Sequence, residues 1–256
     1  MSTTPQRRLR ELGDLSGRRA LVAGGAGHLG RACVDALAEL GAEVAVVDVE
    51  PEGDAIRADL ADEREARRAV HEAAGRLGGL DVLVHCAALV GQDELPGWSV
   101  PFAEQTVEAW DAALRVNLTS AFVLVHEARE QLAASGHGSV ILFGSIYGVV
   151  GPDAALYEGT TMANPTAYGA SKGGLLQLVR YLATTLAPRV RVNAISPGGV
   201  ERGQPATFVE RYTARTPLGR MATEEDVKGA VAFLASDLSA YVTGHNLVVD
   251  GGWTAW

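Results

Sequence analysis

A tyrosine and a lysine four positions apart carry the clearest chemistry in this sequence. Tyr168 and Lys172 stand in TAYGASK, at the start of a stretch with helical apolar spacing, so both side chains project from one helix face. An ordinary phenol has a pKa near about 10, and a neighbouring ammonium stabilises the phenolate. Tyr147 and Tyr157 precede them in glycine-rich sequence and have no lysine at helical spacing. We therefore expect Lys172 to lower the Tyr168 pKa and Tyr168 to act as a general acid and base.

A glycine cluster predicts where a nucleotide would bind. Gly24, Gly27 and Gly30 lie at the turn from the first apolar run into a helical stretch, with His28 and Leu29 between the last two. Glycines there let the backbone approach a pyrophosphate, whose charge then lies at the helix N-terminus. The same glycines would also suit a plain tight turn, but their place in the first strand-to-helix turn favours dinucleotide binding.

Two aspartates predict how the rest of the dinucleotide is held. Asp48 ends the second apolar run, eighteen residues after Gly30, where a carboxylate accepts hydrogen bonds from the adenosine ribose and repels a 2′-phosphate. No arginine follows it directly, so the sequence favours NAD over NADP. Asp59 and Leu60 follow another short apolar stretch and are expected to contact the adenine.

Further candidate residues stand at the ends of apolar runs or inside a helical stretch. Ser145 ends the run VILFGS, where its hydroxyl could hydrogen-bond the substrate oxygen that becomes a carbonyl or an alkoxide. Asn117 falls inside a long helical stretch, where asparagine is a poor helix former and usually has a specific reason. Pro197 and Gly198 end another run, where a rigid turn could shape the nicotinamide pocket. Each also fits an ordinary turn or buried polar contact, so the prediction depends on all of them meeting at one sheet edge.

The elements that must position these residues alternate between short apolar runs and longer helical stretches. The predicted strands are 19–24, 43–48, 81–88, 138–145, 190–196 and 245–252. The predicted helices are 28–41, 63–78, 106–134, 166–187 and 222–236. Strands this apolar are buried on both faces, and the alternation implies right-handed parallel crossovers. We predict an α/β protein with a doubly wound parallel sheet, the Rossmann fold, in three α/β/α layers, with ligands at the carboxyl ends of the strands.

Composition excludes several classes of function. The 256 residues are 47% hydrophobic and 21% charged, and their net charge of −9 disfavours nucleic acid and anionic membranes as partners. Two cysteines, Cys33 and Cys86, cannot build a disulfide framework and lack zinc-type spacing, which favours a reducing cytoplasm. We expect no metal site, no secretion signal and no membrane-spanning segment. Because no linker divides the sequence, we expect residues 1–16 to be a flexible tail and residues 17–256 a single domain.

These motifs together resemble the short-chain dehydrogenase/reductase family in its compact single-domain form, over nearly the whole chain. The matching segments are the glycine turn, Asp48, Asp59, Asn117, Ser145, TAYGASK at 166–172, NAISPGG at 193–199 and TGHNLVVDGGW at 243–253. The resemblance implies hydride transfer with a nicotinamide cofactor, a homotetramer or homodimer, and a catalytic tetrad of Asn117, Ser145, Tyr168 and Lys172.

The resemblance also implies a role for each of these residues. Tyr168 would be the general acid and base, Ser145 would bind the carbonyl, and Lys172 would bind the nicotinamide ribose. Asn117 would hold a water molecule in a proton relay. The cofactor-binding residues would further include Ala87, Pro197, Gly198, Val200, Tyr168 and Lys172.

The sequence departs from the family pattern in its glycine turn and in an insertion. The Gly-x-x-Gly-x-x-Gly spacing of residues 24–30 resembles the sugar-nucleotide-modifying branch. Ser145 and Tyr168 are 23 positions apart, and the extra stretch around LYEGTTMANP resembles a subset linked to bacterial surface-sugar and flagellin modification. The predicted contacts to a polyhydroxylated substrate are Ser145, Tyr147, Tyr157, Glu158, Thr160 and Thr161. The alternative is an outer loop that supports a neighbouring subunit.

Three other features receive expectations here. His85 at a strand end is expected to be packed and hydrogen-bonded, and Cys86 to be a small buried hydrophobe. The mixed-charge segment 198–221 is expected to be a mobile lid with short helices. An interface with a neighbouring subunit is expected to cover the apolar C-terminal residues Val248, Val249, Trp253 and Trp256.

We therefore expect an NAD-dependent oxidoreductase that interconverts a secondary alcohol and a ketone, with a polar, sugar-like substrate. Two alternatives within enzymes are a sugar-nucleotide oxidoreductase that serves dehydration or epimerisation, and an acyl-thioester 3-ketoreductase. Asp48 and the acidic balance argue against the ketoreductase, which would use NADPH and a basic docking patch. A non-catalytic dinucleotide sensor is the alternative from another class, and it would have no use for Lys172 beneath Tyr168.

Overall fold

A parallel sheet forms the centre of the molecule. The computed structural model describes residues 7–90, 95–160 and 162–256. Across these residues the strands are β1 Arg19–Ala23, β2 Glu43–Asp48, β3 Ile56–Arg57, β4 Val82–His85, β5 Gly138–Phe143, β6 Val190–Pro197 and β7 Asn246–Val249. They pair in the order β3-β2-β1-β4-β5-β6-β7, and every pairing is parallel. The order changes direction at β1 and β4, so the predicted doubly wound sheet is confirmed.

Helices cover both faces of this sheet. In the described part of the chain they are α1 Leu9–Leu12, α2 His28–Glu39, α3 Glu63–Leu77, α4 Val107–Leu114, α5 Ser120–Ala134, α6 Thr166–Leu186, α7 Ala206–Arg215 and α8 Glu225–Ala235. Apolar residues of α2 and α8 pack on one face, and those of α3, α5 and α6 pack on the other. Strands β4 and β5 are buried along their whole length, which explains their unbroken apolar runs. The three predicted layers are confirmed.

The helix predicted over 106–134 is divided by a wide turn. Residues Arg115–Thr119 form a π-helical turn between α4 and α5, and Asn117 lies fully buried at its middle. The Asn117 Oδ1 accepts a hydrogen bond from the Leu89 N–H at 2.7 Å, and its Nδ2 donates to Ser171 Oγ at 3.1 Å. Turns of this kind occur mostly as single insertions, frequently at functional sites. The asparagine therefore has the specific hydrogen-bonding reason that the sequence suggested.

The packing at the two ends of the chain differs from the expectations. Leu15 is fully buried, and its N–H donates to the Leu40 carbonyl at 2.9 Å, so the folded core begins before residue 17. Residues 1–6 of the expected tail lie outside the described residues. Trp253 is 4% exposed because it stacks on Tyr212 of the same chain, so its assignment to a subunit interface is wrong. Trp256 and Val248 are 77% and 36% exposed.

No helix among the described residues combines the length and the apolar character needed to cross a bilayer.

Candidate active site

A cavity of about 460 Å³ lies over the carboxyl ends of β1, β2 and β4. Its glycine turn has no space for side chains. A Cβ on Gly24 would lie 2.5 Å from the Ala87 nitrogen, and one on Gly30 would lie 2.0 Å from the Gly24 carbonyl oxygen. Gly24 also has a φ of +78°, which favours glycine. The backbone is therefore bare along the side of the cavity where the turn meets the sheet.

The start of α2 offers backbone donors to this cavity. Gly27 is the N-cap residue, and no described side chain makes a capping hydrogen bond there. The first N–H groups of a helix have no partner within the helix, and they carry a partial positive charge. This arrangement fits the pyrophosphate of a dinucleotide.

Asp48 lies on the wall of the same cavity, at the end of β2. Its Oδ2 accepts a hydrogen bond from the Ala26 N–H at 2.9 Å, which fixes the carboxylate against the glycine turn. Asp59 is held in a similar way, because its Oδ1 accepts from the Ala61 N–H at 2.9 Å. The sheet also places Arg57 opposite Asp48 in the β2–β3 register, a neighbour that sequence reasoning missed.

Most of the predicted cofactor-binding residues meet in this cavity. Those that line it are Gly24, Gly27, His28, Leu29, Gly30, Asp48, Asp59, Leu60 and Ala87. Pro197, Gly198 and Val200 line an adjacent cavity of about 240 Å³ instead. Leu29, Val90 and Arg202 border both spaces, so the two cavities are neighbours at the sheet edge. Of the other predicted cofactor-binding residues, Tyr168 lines the smaller cavity and Lys172 lines neither.

Ser145 and Tyr168 both line the smaller cavity. Ser145 follows β5, and its Oγ accepts a hydrogen bond from the Tyr147 N–H at 3.1 Å. Tyr168 lies in the first turn of α6. Burial raises the pKa of Tyr168, whereas a hydrogen bond with Ser145 and the charge of Arg202 act to lower it. A hydroxyl beside a phenol can bind one substrate oxygen from two sides.

Lys172 is one helical turn after Tyr168 and is buried. Its Nζ lies 5.7 Å from the centroid of the Tyr168 ring and donates a hydrogen bond to the Phe143 carbonyl at 2.7 Å. Burial lowers the pKa of Lys172 to about 8. The two side chains are neighbours, as the spacing predicted. The expected net lowering of the Tyr168 pKa by Lys172 is wrong, because burial has the larger effect and raises it.

Tyr147 and Tyr157 form a pair in the lining of the smaller cavity. The hydroxyls of Tyr147 and Tyr157 are 2.8 Å apart, and Asn164 Nδ2 donates to the Tyr157 hydroxyl at 3.4 Å. Burial raises the pKa of Tyr147, so its phenol stays neutral. These side chains line the cavity with Ser145, as predicted for substrate contacts.

Glu158 and Thr160 do not share this position. Glu158 is exposed and does not line the cavity, and its carbonyl accepts a hydrogen bond from Arg211 at 2.6 Å. Thr160 Oγ1 donates to the Tyr157 carbonyl at 2.8 Å, a contact that stabilises the loop itself. The prediction that Glu158 contacts substrate is therefore wrong in this geometry. Thr161 lies outside the described residues.

The segment expected to be a lid supplies cavity residues that sequence reasoning missed. Phe208 and Tyr212 are one turn apart on α7, both are buried, and both line the smaller cavity. The Tyr212 hydroxyl accepts a hydrogen bond from the Gly199 N–H at 2.5 Å, which joins α7 to the end of β6. The i, i+4 aromatic spacing was the available signal, but it does not say which cavity the helix covers. Arg202, Gln204 and Met221 of the same segment also line this cavity, as does Met162 from the stretch before α6.

His85 is buried at the end of β4, as expected. Its Nε2 lies 2.7 Å from Ser120 Oγ, and that hydroxyl donates to the Val116 carbonyl at 2.6 Å. Nε2 must therefore carry the proton, and Nδ1 has no hydrogen-bond partner among the described residues. Burial, with the nearby Lys172 charge, lowers the pKa of His85 to about 3.

This buried histidine predicts an acid sensitivity. Its folded pKa is below its ordinary value, so the unfolded chain binds a proton first as the pH falls below about 6.5. Between pH 7 and pH 5 this should remove about 2 kcal/mol from the free energy of unfolding. In the His85→Asn variant we expect that loss to be absent, as measured by urea unfolding at both pH values. An equal loss of unfolding free energy in the two proteins would contradict the assignment of this acid sensitivity to the lowered pKa of His85.

The two cysteines approach each other beside the larger cavity. Their Sγ atoms are 3.6 Å apart, and both thiols are free. Burial raises the pKa of Cys86, which agrees with the expectation of a buried, unreactive side chain. No cluster of His, Cys, Asp or Glu in the described ranges could hold a metal ion.

Comparison with known proteins agrees with this geometry. A family model described as enoyl-(acyl carrier protein) reductase matches residues 24–254. The cis-4-hydroxycyclohexanecarboxylate dehydrogenase of Sinomonas cyclohexanicum is 35% identical, over 93% of this chain and 97% of that protein. The L-rhamnose 1-dehydrogenase (NAD(P)(+)) of a Sphingomonas species, strain SKA58, is 32% identical, over 93% of this chain and 96% of that protein.

A solved structure gives the same result for the fold. The short chain dehydrogenase from Leptospira borgpetersenii, crystallised with bound NAD+, has a TM-score of 0.85 to this chain and 32% identity. The match covers 99% of this chain and 98% of that one. The chain therefore belongs to the short-chain dehydrogenase/reductase family, and it is an oxidoreductase that acts on CH–OH groups.

Proposed function

We propose that this protein is an NAD-dependent dehydrogenase that interconverts a secondary alcohol and a ketone. The observation that carries the proposal is the meeting of Ser145 and Tyr168 at the wall of a cavity that adjoins the larger one, with the buried Lys172 Nζ 5.7 Å from the centroid of the Tyr168 ring. A dinucleotide sensor would need only the larger cavity.

The cofactor would be held by residues with distinct tasks. The glycine turn and the start of α2 fit the pyrophosphate, and Asp48 fits the adenosine ribose. Lys172, whose Nζ donates a hydrogen bond to the Phe143 carbonyl at 2.7 Å, would bind the nicotinamide ribose. When bound, the nicotinamide supplies the hydride acceptor for the carbinol carbon.

The protein's own residues would handle the oxygen and its proton. Ser145 binds the substrate oxygen, and Tyr168 exchanges the hydroxyl proton at its Oη. Because burial raises the Tyr168 pKa, the neutral phenol is the resting form at pH 7 and is ready to protonate the oxygen of a ketone. Alcohol oxidation requires the phenolate, so its rate should rise as the pH increases. The role of Asn117 in a water relay stays a prediction, because its side chain is engaged by Leu89 and Ser171.

We further propose a ring-bearing secondary alcohol as the substrate. The smaller cavity has aromatic and thioether walls from Phe208, Tyr212 and Met162, with the Tyr147 and Tyr157 hydroxyls at one end. This mixture suits an alicyclic or sugar ring that is apolar on its faces and polar at its edge. The two relatives act by name on a hydroxycyclohexanecarboxylate and on L-rhamnose, which supports the same class.

The test is a panel of cyclohexanols, hydroxycyclohexanecarboxylates, sugars, polyols and hydroxysteroids, each assayed for NADH formation, with NADP in parallel. We expect oxidation of at least one cyclic alcohol with NAD. Product analysis separates the alternatives, since dehydration or epimerisation returns NAD unchanged. Failure with every alcohol, together with reduction of an acyl-thioester ketone or enoyl thioester, would contradict the proposal.

The surface-sugar assignment, the cytoplasmic location and the homotetramer stay predictions. Exposed apolar side chains on α4, α5 and α6, namely Val107, Phe122 and Tyr181, support an assembly of several subunits.

Cofactor choice gives a more specific prediction. In the Asp48→Ser variant the repulsion of a 2′-phosphate is lost, and we expect Arg57, opposite position 48 in the β2–β3 register, to pair with that phosphate. We expect kcat/KM with NAD to fall by about 10- to 100-fold, the value of one charge-assisted hydrogen bond, and the rate with NADP to rise. Steady-state kinetics with both cofactors checks this. An unchanged NAD/NADP ratio would mean that another group sets the preference.

A further inference from the structure

Arg202 occupies a position that the reaction described above does not explain. It lies in the loop after β6 and borders both the larger cavity, which we assign to the dinucleotide, and the smaller cavity, which Ser145 and Tyr168 line. Of the described residues that line the smaller cavity, Arg202 alone has a charged side chain. Its backbone is fixed, because its N–H donates to Gln204 Oε1 at 2.6 Å and Gln204 Nε2 donates to the Val200 carbonyl at 2.7 Å.

The guanidinium of Arg202 is only partly used. Its Nε donates to Glu224 Oε1 at 3.2 Å, and the side chain is 22% exposed. Its Nη2, however, is buried and has no hydrogen-bond partner within the described chain. A buried donor without a partner is costly, so such groups in native proteins take a partner such as a ligand, an ion or an ordered water.

The surroundings of Arg202 leave it available to an anion. Glu224 is its ion-pair partner, but Glu224 also lies 3.8 Å from His28 Nδ1 and is 35% exposed, so it neutralises the guanidinium only in part. The charge of Arg202 reaches the catalytic tyrosine, since it acts to lower the pKa of Tyr168. A negative group bound at Arg202 would therefore lie within the same cavity as the reacting hydroxyl.

We propose that Arg202 binds a carboxylate of the substrate, so that the enzyme acts on a ring-bearing secondary alcohol that also carries a carboxylate group. The planar guanidinium matches the two oxygens of a carboxylate, and the aromatic walls of the cavity that it borders suit the ring of such a substrate. The inference rests on the proposed function, in that it names the substrate class of the same site. Arg202 then determines which substrates bind, a role separate from the proton transfer by Tyr168 and the binding of the reacting oxygen by Ser145.

The first test measures binding and does not require turnover. Cyclohexanecarboxylate and its uncharged analogue cyclohexanecarboxamide are titrated by calorimetry into the enzyme saturated with NADH. We expect the wild-type protein to bind the carboxylate about 10- to 100-fold more tightly than the amide. In Arg202→Gln that preference should disappear, and in Arg202→Lys it should persist in weakened form. NADH affinity should be the same in all three proteins.

The second test uses turnover. The value of kcat/KM is measured for a hydroxycyclohexanecarboxylate and its methyl ester, and Arg202→Gln should lower it for the acid alone. Equal binding of carboxylate and amide by the wild-type protein would overturn the inference. An equal loss of affinity for both ligands in Arg202→Gln, together with weaker NADH binding, would also overturn it, because that result would assign Arg202 to the cofactor. If the carboxylate preference depends on Arg202 but no alcohol is oxidised, the proposed function fails while the anion site stands.

Discussion

Replacement of Tyr168 by phenylalanine is expected to lower kcat by on the order of 10²–10⁴-fold, the usual contribution of a positioned acid or base. Tyr168 carries the phenol beside Ser145 at the wall of the smaller cavity, and phenylalanine has no hydroxyl group that could donate or accept the proton. NADH affinity should stay close to that of the wild-type protein, because the glycine turn and Asp48, which line the larger cavity, are untouched. Steady-state kinetics and NADH fluorescence titration measure the two quantities separately.

The matched control is Tyr181→Phe, the same substitution on the same helix. Tyr181 is 65% exposed and far along α6, so its variant should keep wild-type rates. In the wild-type enzyme, alcohol oxidation should increase with pH and ketone reduction should decrease, since the first needs the phenolate and the second the phenol. A Tyr168→Phe enzyme with a near-normal rate would remove Tyr168 from the mechanism.

The second large effect is expected from Gly30→Ala. The added Cβ would lie 2.0 Å from the Gly24 carbonyl oxygen and 2.7 Å from the Gly25 Cα, both of them backbone atoms that cannot move without opening the turn. We expect the free energy of unfolding to fall by about 3 kcal/mol, at the upper end of the overpacking range. NAD binding should be lost with it, because the bare backbone of the turn is what fits the pyrophosphate. Urea unfolding and NADH titration measure the two effects.

Gly75→Ala is the matched control for this variant. Gly75 is also a helical glycine, but it is exposed on α3 and a Cβ there meets no atom within 4 Å. Alanine should therefore stabilise the protein by about 0.5–1 kcal/mol and leave NADH binding unchanged. If Gly30→Ala behaves like Gly75→Ala, the close approach at the glycine turn is not needed for the cofactor.

Structural features that depend on the local spacing of apolar residues were predictable from the sequence. Apolar runs of strand length alternate with helical stretches, and this alone predicts the parallel sheet and its layers. The placement of the reactive groups followed from the same rule. Asp48 and Ser145 end their strands, and parallel strands end at one edge, so the sequence could say that they meet there. The spacing of Tyr168 and Lys172 is likewise a property of one helix.

The parts that depend on distant contacts were not predictable. Asn117, in the π-helical turn, makes hydrogen bonds with Leu89 and Ser171, residues that only the fold brings near. The direction of the Tyr168 pKa depends on how deeply the fold buries the phenol, which spacing does not reveal. Trp253 was assigned to an interface because no sequence pattern shows that α7 folds over it.

Arg202 shows the same limitation for the substrate cavity. In the sequence it is one arginine of a mixed-charge segment, and a solvated position would be the ordinary interpretation. Its importance comes from a buried Nη2 that lacks a partner in the described structure, next to a cavity formed by residues from several elements. Glu158 is the converse case, since its sequence position suggested the site and its exposure removes it.

The most direct test of the account follows the hydride itself. The best alcohol of the panel is prepared with deuterium on its carbinol carbon and oxidised with NAD, and the reduced cofactor is analysed by mass spectrometry. The account predicts that the deuterium is on the nicotinamide of the product and that one ketone forms for each reduced cofactor. Deuterium that remains in the organic product, or that exchanges into the solvent without reduced cofactor, would contradict it.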